Sequence, residues 1–371
     1  MRLRFEKRKA APAWFKVALP VAAVTLTFVL SAALILLARV NPAVAYFRMF
    51  EGALGSWLGI TETLVKAAPL ILTGLAVAIA FKGRFYNIGV EGQLYAGALG
   101  ATWIGMQLSA LPAALAVPIV TVAAMLSGAL WALVAAVLKV RLRADDVVCT
   151  LLLNYVMTLL VGALVNGPWR DPVTNWPQSP DLPESALYTV LLPESRVHLG
   201  VALTVVAVVL VAYLLHRTTL GLAIKAVGLN ERAAAFFGIA PGRTIVIVAL
   251  ISGALAGLAG AGELLGLHGH LIETLSPGYG FTGIIVAMLG ALNPLGIVFS
   301  AVFVSVVITG AGAMSRYTGV PSYISGVMQG LALISVLAMF LLNHYRIRVE
   351  WRRRPAQPPP RLAEESPHAQ P

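Results

Sequence analysis

The side chains with the greatest capacity for chemistry lie in residues 85–93, which read FYNIGVEGQ. Asn87, Glu91 and Gln93 place a carboxylate and two amides between long apolar segments. Polar groups near membrane depth are costly unless they are hydrogen-bonded, paired or in contact with water. The stretch therefore indicates either hydrogen bonds between helices or the lining of a path for a polar solute.

Further polar side chains interrupt apolar segments elsewhere and have the same two interpretations. The candidates for a translocation pathway are Asn87, Glu91, Gln93, Asn154 and Glu263. Glu62 and Lys66 stand four residues apart, which favours an ion pair on one helix face. The sequence thus predicts polar groups at membrane depth from several separate segments.

Motifs of covalent catalysis and metal binding are absent from the sequence. It contains no GxxxxGK[ST], HExxH or GxSxG pattern. The single cysteine, Cys149, excludes an intramolecular disulfide, and His268 and His270 have no third metal ligand nearby in sequence. Asp145 and Asp146 are expected to cap a helix. We therefore expect no catalytic residue and no bound metal.

The composition is typical of an integral membrane protein. It has 371 residues, of which 58% are hydrophobic and 12% charged, and its mean hydropathy is +0.83. Soluble domains carry about twice that share of charge. The net charge of +11 is not a nucleic-acid signal, because the basic residues lie between apolar runs, as in cytoplasmic loops.

The hydropathy pattern predicts an all-α polytopic protein with about ten transmembrane helices. The predicted spans are residues 17–38, 58–81, 91–110, 112–138, 147–166, 198–215, 244–266, 281–293, 295–313 and 322–343. Lys and Arg concentrate on one side of this arrangement, which places both termini in the cytoplasm.

The domain organisation follows from these spans. The prediction is a basic N-terminus at 1–16, a permease domain at 17–343 and a tail at 344–371. In the tail, basic residues 346–354 suit anionic lipid, and the Pro-rich remainder is expected to be disordered.

Two long loops separate the predicted spans. The external loop 167–197 is rich in proline, which disfavours regular structure, and it is either a docking surface or a plain connector. The cytoplasmic region 217–243 contains Asn230 as an N-cap and Gly238 as a left-handed helix terminator. These two residues predict a helix of about two turns that exposes Phe236, Phe237 and Ile239.

Glycine and proline interrupt the hydrophobic segments in both halves of the chain. One such region leads from Pro69 into FYNIGVEGQ, and the other covers 252–283. Broken helices at membrane depth are tolerated where they line protein or a cavity. This arrangement favours an inverted repeat with interrupted helices.

Four segments together resemble the permease subunit of bacterial ABC importers for nucleosides and simple sugars. They are AAPLILTGLAVAIAFKGRFYNIGVEGQLYAGAL, GLNERAAAFFGI, SGALAGLAGAGELLG and GFTGIIVAMLGALNPLGI. The wider family includes ribose, xylose and branched-chain amino-acid permeases, and the resemblance covers roughly residues 61–342. FYNIGVEGQ is its most specific part.

The resemblance implies a multi-pass subunit of the bacterial inner membrane with several partners. These are a second related permease, a cytoplasmic ATPase and an extracytoplasmic substrate-binding protein or lipoprotein, besides membrane lipid. This chain would bind no cofactor, since ATP and Mg would bind the ATPase. The resemblance implies a coupling helix at 228–239. Its motif falls on Asn230, Glu231, Arg232, Ala233, Ala234 and Gly238, and Phe236 and Phe237 would be the buried anchor.

Two other classes of function compete with this interpretation. An ion-coupled secondary transporter would use Glu62, Glu91 or Glu263 as coupling sites. A membrane-embedded enzyme or assembly protein would need convergent catalytic groups, and the sequence contains none with a known spacing. The exposed helix after Asn230 argues against an ion-driven carrier, which needs no ATPase dock. The solute remains open between purine nucleosides, pyrimidine nucleosides and pentoses.

Overall fold

The described residues of the computed structural model are 2–7, 15–321 and 323–350, and most of them are helical. The first helices are α1 (Phe15–Leu37), α2 (Pro42–Leu54), α3 (Trp57–Lys82), α4 (Val90–Gly105), α5 (Ala113–Leu142), α6 (Asp146–Asn166) and α7 (Leu199–Arg217). The remaining helices are α8 (Thr219–Leu229), α9 (Glu231–Phe236), α10 (Pro241–Glu263), α11 (Tyr279–Leu289), α12 (Pro294–Thr318) and α13 (Ile324–His344).

Each of the ten predicted spans contains a helix. Among the described residues, six helices are long and apolar enough to cross a membrane, namely α3, α5, α6, α7, α10 and α12. The bent pair of α1 and α2 raises the number to seven if it forms one span. The other helices at predicted spans, including α4 and α11, fall outside this set.

The helix α2 is an element that the sequence interpretation missed. It lies in a stretch that was predicted to connect two spans, and it turns by 114° from α1. The Asn41 side chain accepts a hydrogen bond from the Ala43 N–H, and Pro42 occupies the first helical position. An N-cap followed by proline is a helix-start signal, so the sequence did contain the information.

The centre of the protein is formed by α3 and α10. Buried residues make up 78% of the apolar window in α3 and 67% in α10, against 28% in both α6 and α7. Small residues let the backbones meet: Gly253 of α10 lies against Gly128 of α5. The two central helices therefore pack against protein, while α6 and α7 leave most of their apolar surface exposed.

Both halves contain a long helix, an interruption, a shorter helix and a second long helix. In the first half, α3 is followed by the non-helical residues 83–89, then by α4 and α5. In the second half, α10 continues into a π-helical turn at Leu264–His268, and irregular residues 269–278 lead to α11 and α12. The interruptions lie in the two regions where glycine and proline predicted them.

A short antiparallel sheet joins the two ends of the described chain. Strand β1 (Arg2–Lys7) pairs with β2 (Tyr345–Glu350), with Arg2 opposite Glu350. This sheet was not predicted by the all-α interpretation. The predicted disordered tail beyond residue 350 lies outside the described residues.

Candidate translocation and coupling site

The interruption after α3 begins with a turn that needs an unusual backbone conformation. Arg84 adopts the left-handed region with φ of 60°, and Phe85 behind it is fully buried. This conformation is uncommon for a residue other than glycine. The Arg84 carbonyl accepts a hydrogen bond of 2.5 Å from Lys139 Nζ, which holds the turn against the end of α5.

The extended residues after this turn are bound by one face of α6. The Asp146 carboxylate accepts a 2.6 Å hydrogen bond from the Tyr86 N–H, and Thr150 Oγ1 accepts one of 3.1 Å from the Ile88 N–H. One turn further along α6, Asn154 Nδ2 donates to the Ile88 carbonyl at 2.9 Å. These side chains replace hydrogen bonds that a continuous helix would have made, as backbone inside a membrane requires.

The same face of α6 lies so close to α4 that position 92 must be a glycine. Asn154 Oδ1 accepts a 2.8 Å hydrogen bond from the Gly92 N–H. A Cβ atom at position 92 would lie 2.9 Å from the Asn154 Cα. Since real Cβ atoms do not approach a backbone atom so closely, a larger residue here would push α4 away from α6.

Asn87 and Gln93 bind each other and α10. Asn87 Nδ2 donates to Gln93 Oε1 and to Ser252 Oγ, each at 2.9 Å, and Gln93 Nε2 donates back to Asn87 Oδ1 at 2.9 Å. Ser252 Oγ in turn donates to the Ala76 carbonyl of α3 at 2.8 Å. Of the two roles that the sequence left open for these amides, the geometry favours hydrogen bonding between helices.

Glu91 joins the two shorter helices. It lies in the first turn of α4, and its Oε2 accepts a 2.6 Å hydrogen bond from the Gly280 N–H in the first turn of α11. Helix N-termini carry partial positive charge and unpaired N–H groups, so a carboxylate stabilises both ends here. Glu91 therefore lies where the N-termini of α4 and α11 meet, and this contact fits the helix-locking role.

Glu263 differs from the other predicted pathway residues. It is the last residue of α10 before the π-helical turn, and it is only 4% exposed. Among the described residues no hydrogen-bond donor acts on its carboxylate. Arg196 and Lys66 are the positively charged residues close enough to attract the Glu263 carboxylate electrostatically. A carboxylate on a buried residue usually has a hydrogen-bond donor, and π-helical turns are frequent at functional sites.

The predicted pair of Glu62 with Lys66 is wrong. The Glu62 carboxylate is instead held by the Arg196 guanidinium, with Nε at 2.7 Å from Oε1 and Nη2 on Oε2. Arg196 belongs to the loop before α7, which sequence spacing alone does not bring near α3. A planar guanidinium binds a carboxylate through two parallel hydrogen bonds, which favours Arg196 over Lys66.

Asp145 caps α6 as predicted, but Asp146 has a different role. Asp145 Oδ1 accepts from the Val148 N–H at 2.9 Å. Asp146 is 7% exposed and forms an ion pair of 2.5 Å with Lys139. The Lys139 ammonium thus binds both the Arg84 carbonyl and Asp146, and it lies 5.7 Å from the centre of the Phe85 ring.

The short helix α9 forms where Asn230 and Gly238 predicted it. Asn230 Oδ1 accepts from the N–H groups of Arg232 and Ala233, and Gly238 has φ of 81° after the helix end. Phe236 and Phe237 are 87% and 81% exposed. Ile239 does not share their exposure: it is half-buried against the core.

The other residues predicted for coupling lie on the same helix. Ala234 is buried, while Arg232 and Ala233 are exposed. Glu231 Oε1 lies 3.8 Å from Arg84 Nε, so α9 contacts the turn at Arg84. This turn leads into residues 85–89, which we call the FYNIG stretch. The preceding helix α8, capped by Thr218, was not predicted.

The loop 167–197, which was predicted to be external, is hydrogen-bonded to the interruption after α10. The N–H groups of Ser179, Leu182 and Tyr188 donate to carbonyls of residues 271, 269 and 265, each at 2.9 Å. Its other end is ordered by Asp171, whose pKa is held below its ordinary value by the Thr174 hydroxyl and the Val173 N–H. The loop is therefore more than a loose connector, although regular structure is limited to Glu184–Ala186 and two isolated bridges.

Sequence reasoning missed several residues of this site. Ser252, Thr150, Asp146 and Lys139 all bind the FYNIG stretch or its turn. The signal for α6 was present, since Asp146, Thr150 and Asn154 are spaced by four residues and so share one face of a helix. Nothing in the sequence indicated that this face meets residues 86–92.

The helices, the paired interruptions and the exposed helix α9 define a polytopic membrane transport subunit. A family model described as branched-chain amino acid transport system, permease component, matches residues 59–337. The chain belongs to this family, and it is a multi-pass inner-membrane transport subunit and not an enzyme. Membership implies an ATPase and a substrate-binding protein as partners.

Curated relatives cover nearly the whole chain. A glucose ABC transporter permease protein, TsgB13 of Haloferax volcanii, is 33% identical over 95% of this chain and 96% of its own length. The nucleoside ABC transporter permease protein NupB of Lactococcus lactis is 32% identical over 88% and 92%. The guanosine ABC transporter permease protein NupP of Bacillus subtilis is 32% identical over 89% and 94%. No solved structure matches the chain.

Proposed function

We propose that this chain forms the translocation pathway of an ATP-driven importer for nucleosides or simple sugars. The observation that carries the proposal is α9, a capped helix that presents Phe236 and Phe237 almost fully to solvent. Two exposed aromatic residues on a short ordered helix suit an apolar groove of a partner, where aromatic anchors supply most binding energy. The relatives named for glucose, nucleosides and guanosine support the choice of solute.

The proposed partners follow from this arrangement. The ATPase binds ATP and Mg and contacts α9 through Asn230–Gly238, and this chain itself binds no cofactor. A second related permease completes the pathway, and an extracytoplasmic binding protein or lipoprotein delivers the solute. The basic residues of the C-terminal tail bind anionic lipid.

In the proposed topology all ten predicted spans cross the membrane. Both termini, residues 1–16 and 344–371, then lie in the cytoplasm. The pairing of β1 with β2 supports this arrangement, because it holds the start of α1 and the end of α13 at one side. The common order of elements in α3–α5 and α10–α12 supports an inverted repeat, whose two shorter helices meet at Glu91.

Among the pathway candidates, Glu263 is the one that the proposal assigns to the solute. Asn87, Gln93, Asn154 and Glu91 are hydrogen-bonded within the chain, whereas Glu263 has no such partner among the described residues. A carboxylate accepts hydrogen bonds from the hydroxyl groups of ribose or a hexose. Asn87, Gln93, Asn154 and Glu91 then act by holding the helices around the pathway.

We expect Glu263→Gln to slow uptake by the reconstituted transporter. A hydrogen bond to a charged group contributes about 1.5–3 kcal/mol, so losing it from the passage step lowers the initial uptake rate roughly tenfold or more. The measurement is uptake of labelled nucleoside and labelled pentose by proteoliposomes that contain the complete complex. Glu273→Gln is the control, since Glu273 is an exposed carboxylate of the same connection. Wild-type uptake by Glu263→Gln would remove Glu263 from the pathway.

A further inference from the structure

We infer that residues 84–92 are a rigid link that transmits movement of α9 to the N-termini of α4 and α11, with Arg84 as the positioning residue. The inference rests on the proposed function, because it assumes that α9 docks on an ATPase. It assigns a role to the FYNIG stretch that is neither catalysis nor solute binding.

The N-terminal end of the link, at Arg84, contacts α9. Arg84 Nε and Glu231 Oε1 are 3.8 Å apart, and the two side chains are 47% and 41% exposed. An ion pair this exposed adds little to the stability of the fold. The pair can therefore be removed without unfolding the protein, which separates its role in coupling from any role in folding.

The middle of the link cannot bend freely, because it is bound on several sides. Lys139 fixes the Arg84 carbonyl and Asp146, and Asp146 and Thr150 fix the N–H groups of Tyr86 and Ile88. On the opposite side the Asn87 amide is bonded to α10 through Ser252. A segment with its backbone and side-chain groups bonded in this way moves as one piece with its neighbours.

The C-terminal end of the link, at residues 90–92, lies where the N-termini of α4 and α11 meet. The stretch passes directly into the first turn of α4, where Glu91 accepts the hydrogen bond from Gly280 of α11. Displacement of Arg84 by α9 would therefore move the N-terminus of α4 relative to that of α11. Coupling of this kind needs an element that both sites influence, and in this inference that element is the junction of the two helix ends.

The test uses Arg84→Gly in the complete, reconstituted transporter. Glycine accepts the left-handed conformation of position 84, so the turn is retained while the guanidinium is lost. Arg143→Gly is the matched control. Arg143 caps α5 with φ of 55°, is exposed, and makes no ion pair within the described part of the chain. The readout is solute transported per ATP hydrolysed.

We expect Arg84→Gly to lower this ratio by roughly fivefold or more, the lower end of coupling between distant sites. Arg143→Gly should keep the wild-type ratio, and the ATPase should co-purify with both variants. Arg84→Glu and Glu231→Arg should each lower the ratio, and the double exchange should restore it. A merely structural role for Arg84 does not predict this rescue.

Two results would overturn the inference. One is a wild-type ratio in Arg84→Gly, and the other is a double exchange that transports no better than either single variant. If Arg84→Gly fails to assemble, the exchange pair alone decides. Failure of the proposed function has a different signature, namely a wild-type chain that binds no ATPase or transports without ATP.

Discussion

We expect Phe237→Asp to abolish co-purification of the ATPase while the permease stays inserted and folded. Phe237 is 81% exposed, and its ring centre lies 5.6 Å from that of the neighbouring, similarly exposed Phe236, so the substitution removes little internal packing. Anchor residues of this kind cost about 2 kcal/mol or more when truncated, and a charge forced into an apolar groove costs further desolvation energy. The measurement is pull-down of the ATPase by tagged permease, together with size-exclusion chromatography of the permease alone.

Gly238→Pro tests the same surface by removing the helix terminator. Proline fixes φ near −65°, whereas position 238 has φ of 81°. The substitution therefore prevents the turn that ends α9 and changes the orientation of Phe236 and Phe237. Val173→Asp is the control for an added charge, because Val173 is 87% exposed in the loop 167–197, far in sequence from α9. Unimpaired ATPase association in both Phe237→Asp and Gly238→Pro would refute the assignment of α9 as the docking helix.

We expect Asp146→Ala to destabilise the folded permease. Removing one partner of this partly buried ion pair leaves the other charge uncompensated and costs about 3 kcal/mol. The substitution leaves Lys139 without its carboxylate and the Tyr86 N–H without its acceptor. We expect a marked fall in the apparent Tm of the purified permease, measured by thermal unfolding in detergent.

The neighbouring Asp145 is the control for this prediction. Asp145 only caps α6, and loss of an N-cap costs about 1 kcal/mol. Asp145→Ala should therefore lower the apparent Tm clearly less than Asp146→Ala. Equal losses would mean that both aspartates act as caps, which is what the sequence had suggested.

Local chemistry made much of the fold predictable from the sequence. Spans were visible as apolar runs, and α9 was visible because an N-cap and a left-handed glycine bound a two-turn segment. The helix α2 was missed, although Asn41 and Pro42 gave the same kind of signal. The distribution of Lys and Arg assigns a loop to one side of the membrane, but it does not predict whether the loop is helical.

The site was harder to predict because its contacts join residues far apart in the chain. Glu62 was expected to bind Lys66 four residues away, but Arg196 binds it from another segment. The amides of Asn87 and Gln93 looked equally suited to solute and to helix packing until Ser252 of α10 was placed beside them. Sequence patterns report local periodicity, whereas these pairings depend on how α3, α6 and α10 pack.

ATP-dependent solute uptake distinguishes an ATP-driven importer from an ion-coupled carrier. The complete complex is reconstituted in proteoliposomes, and uptake of a labelled nucleoside or sugar is measured with and without ATP, and with an ionophore present. We predict uptake that requires ATP and the ATPase and that persists when the ionophore removes the ion gradients. Uptake that continues without ATP or any ATPase subunit, and that collapses with the ionophore, would contradict the account and favour an ion-coupled carrier.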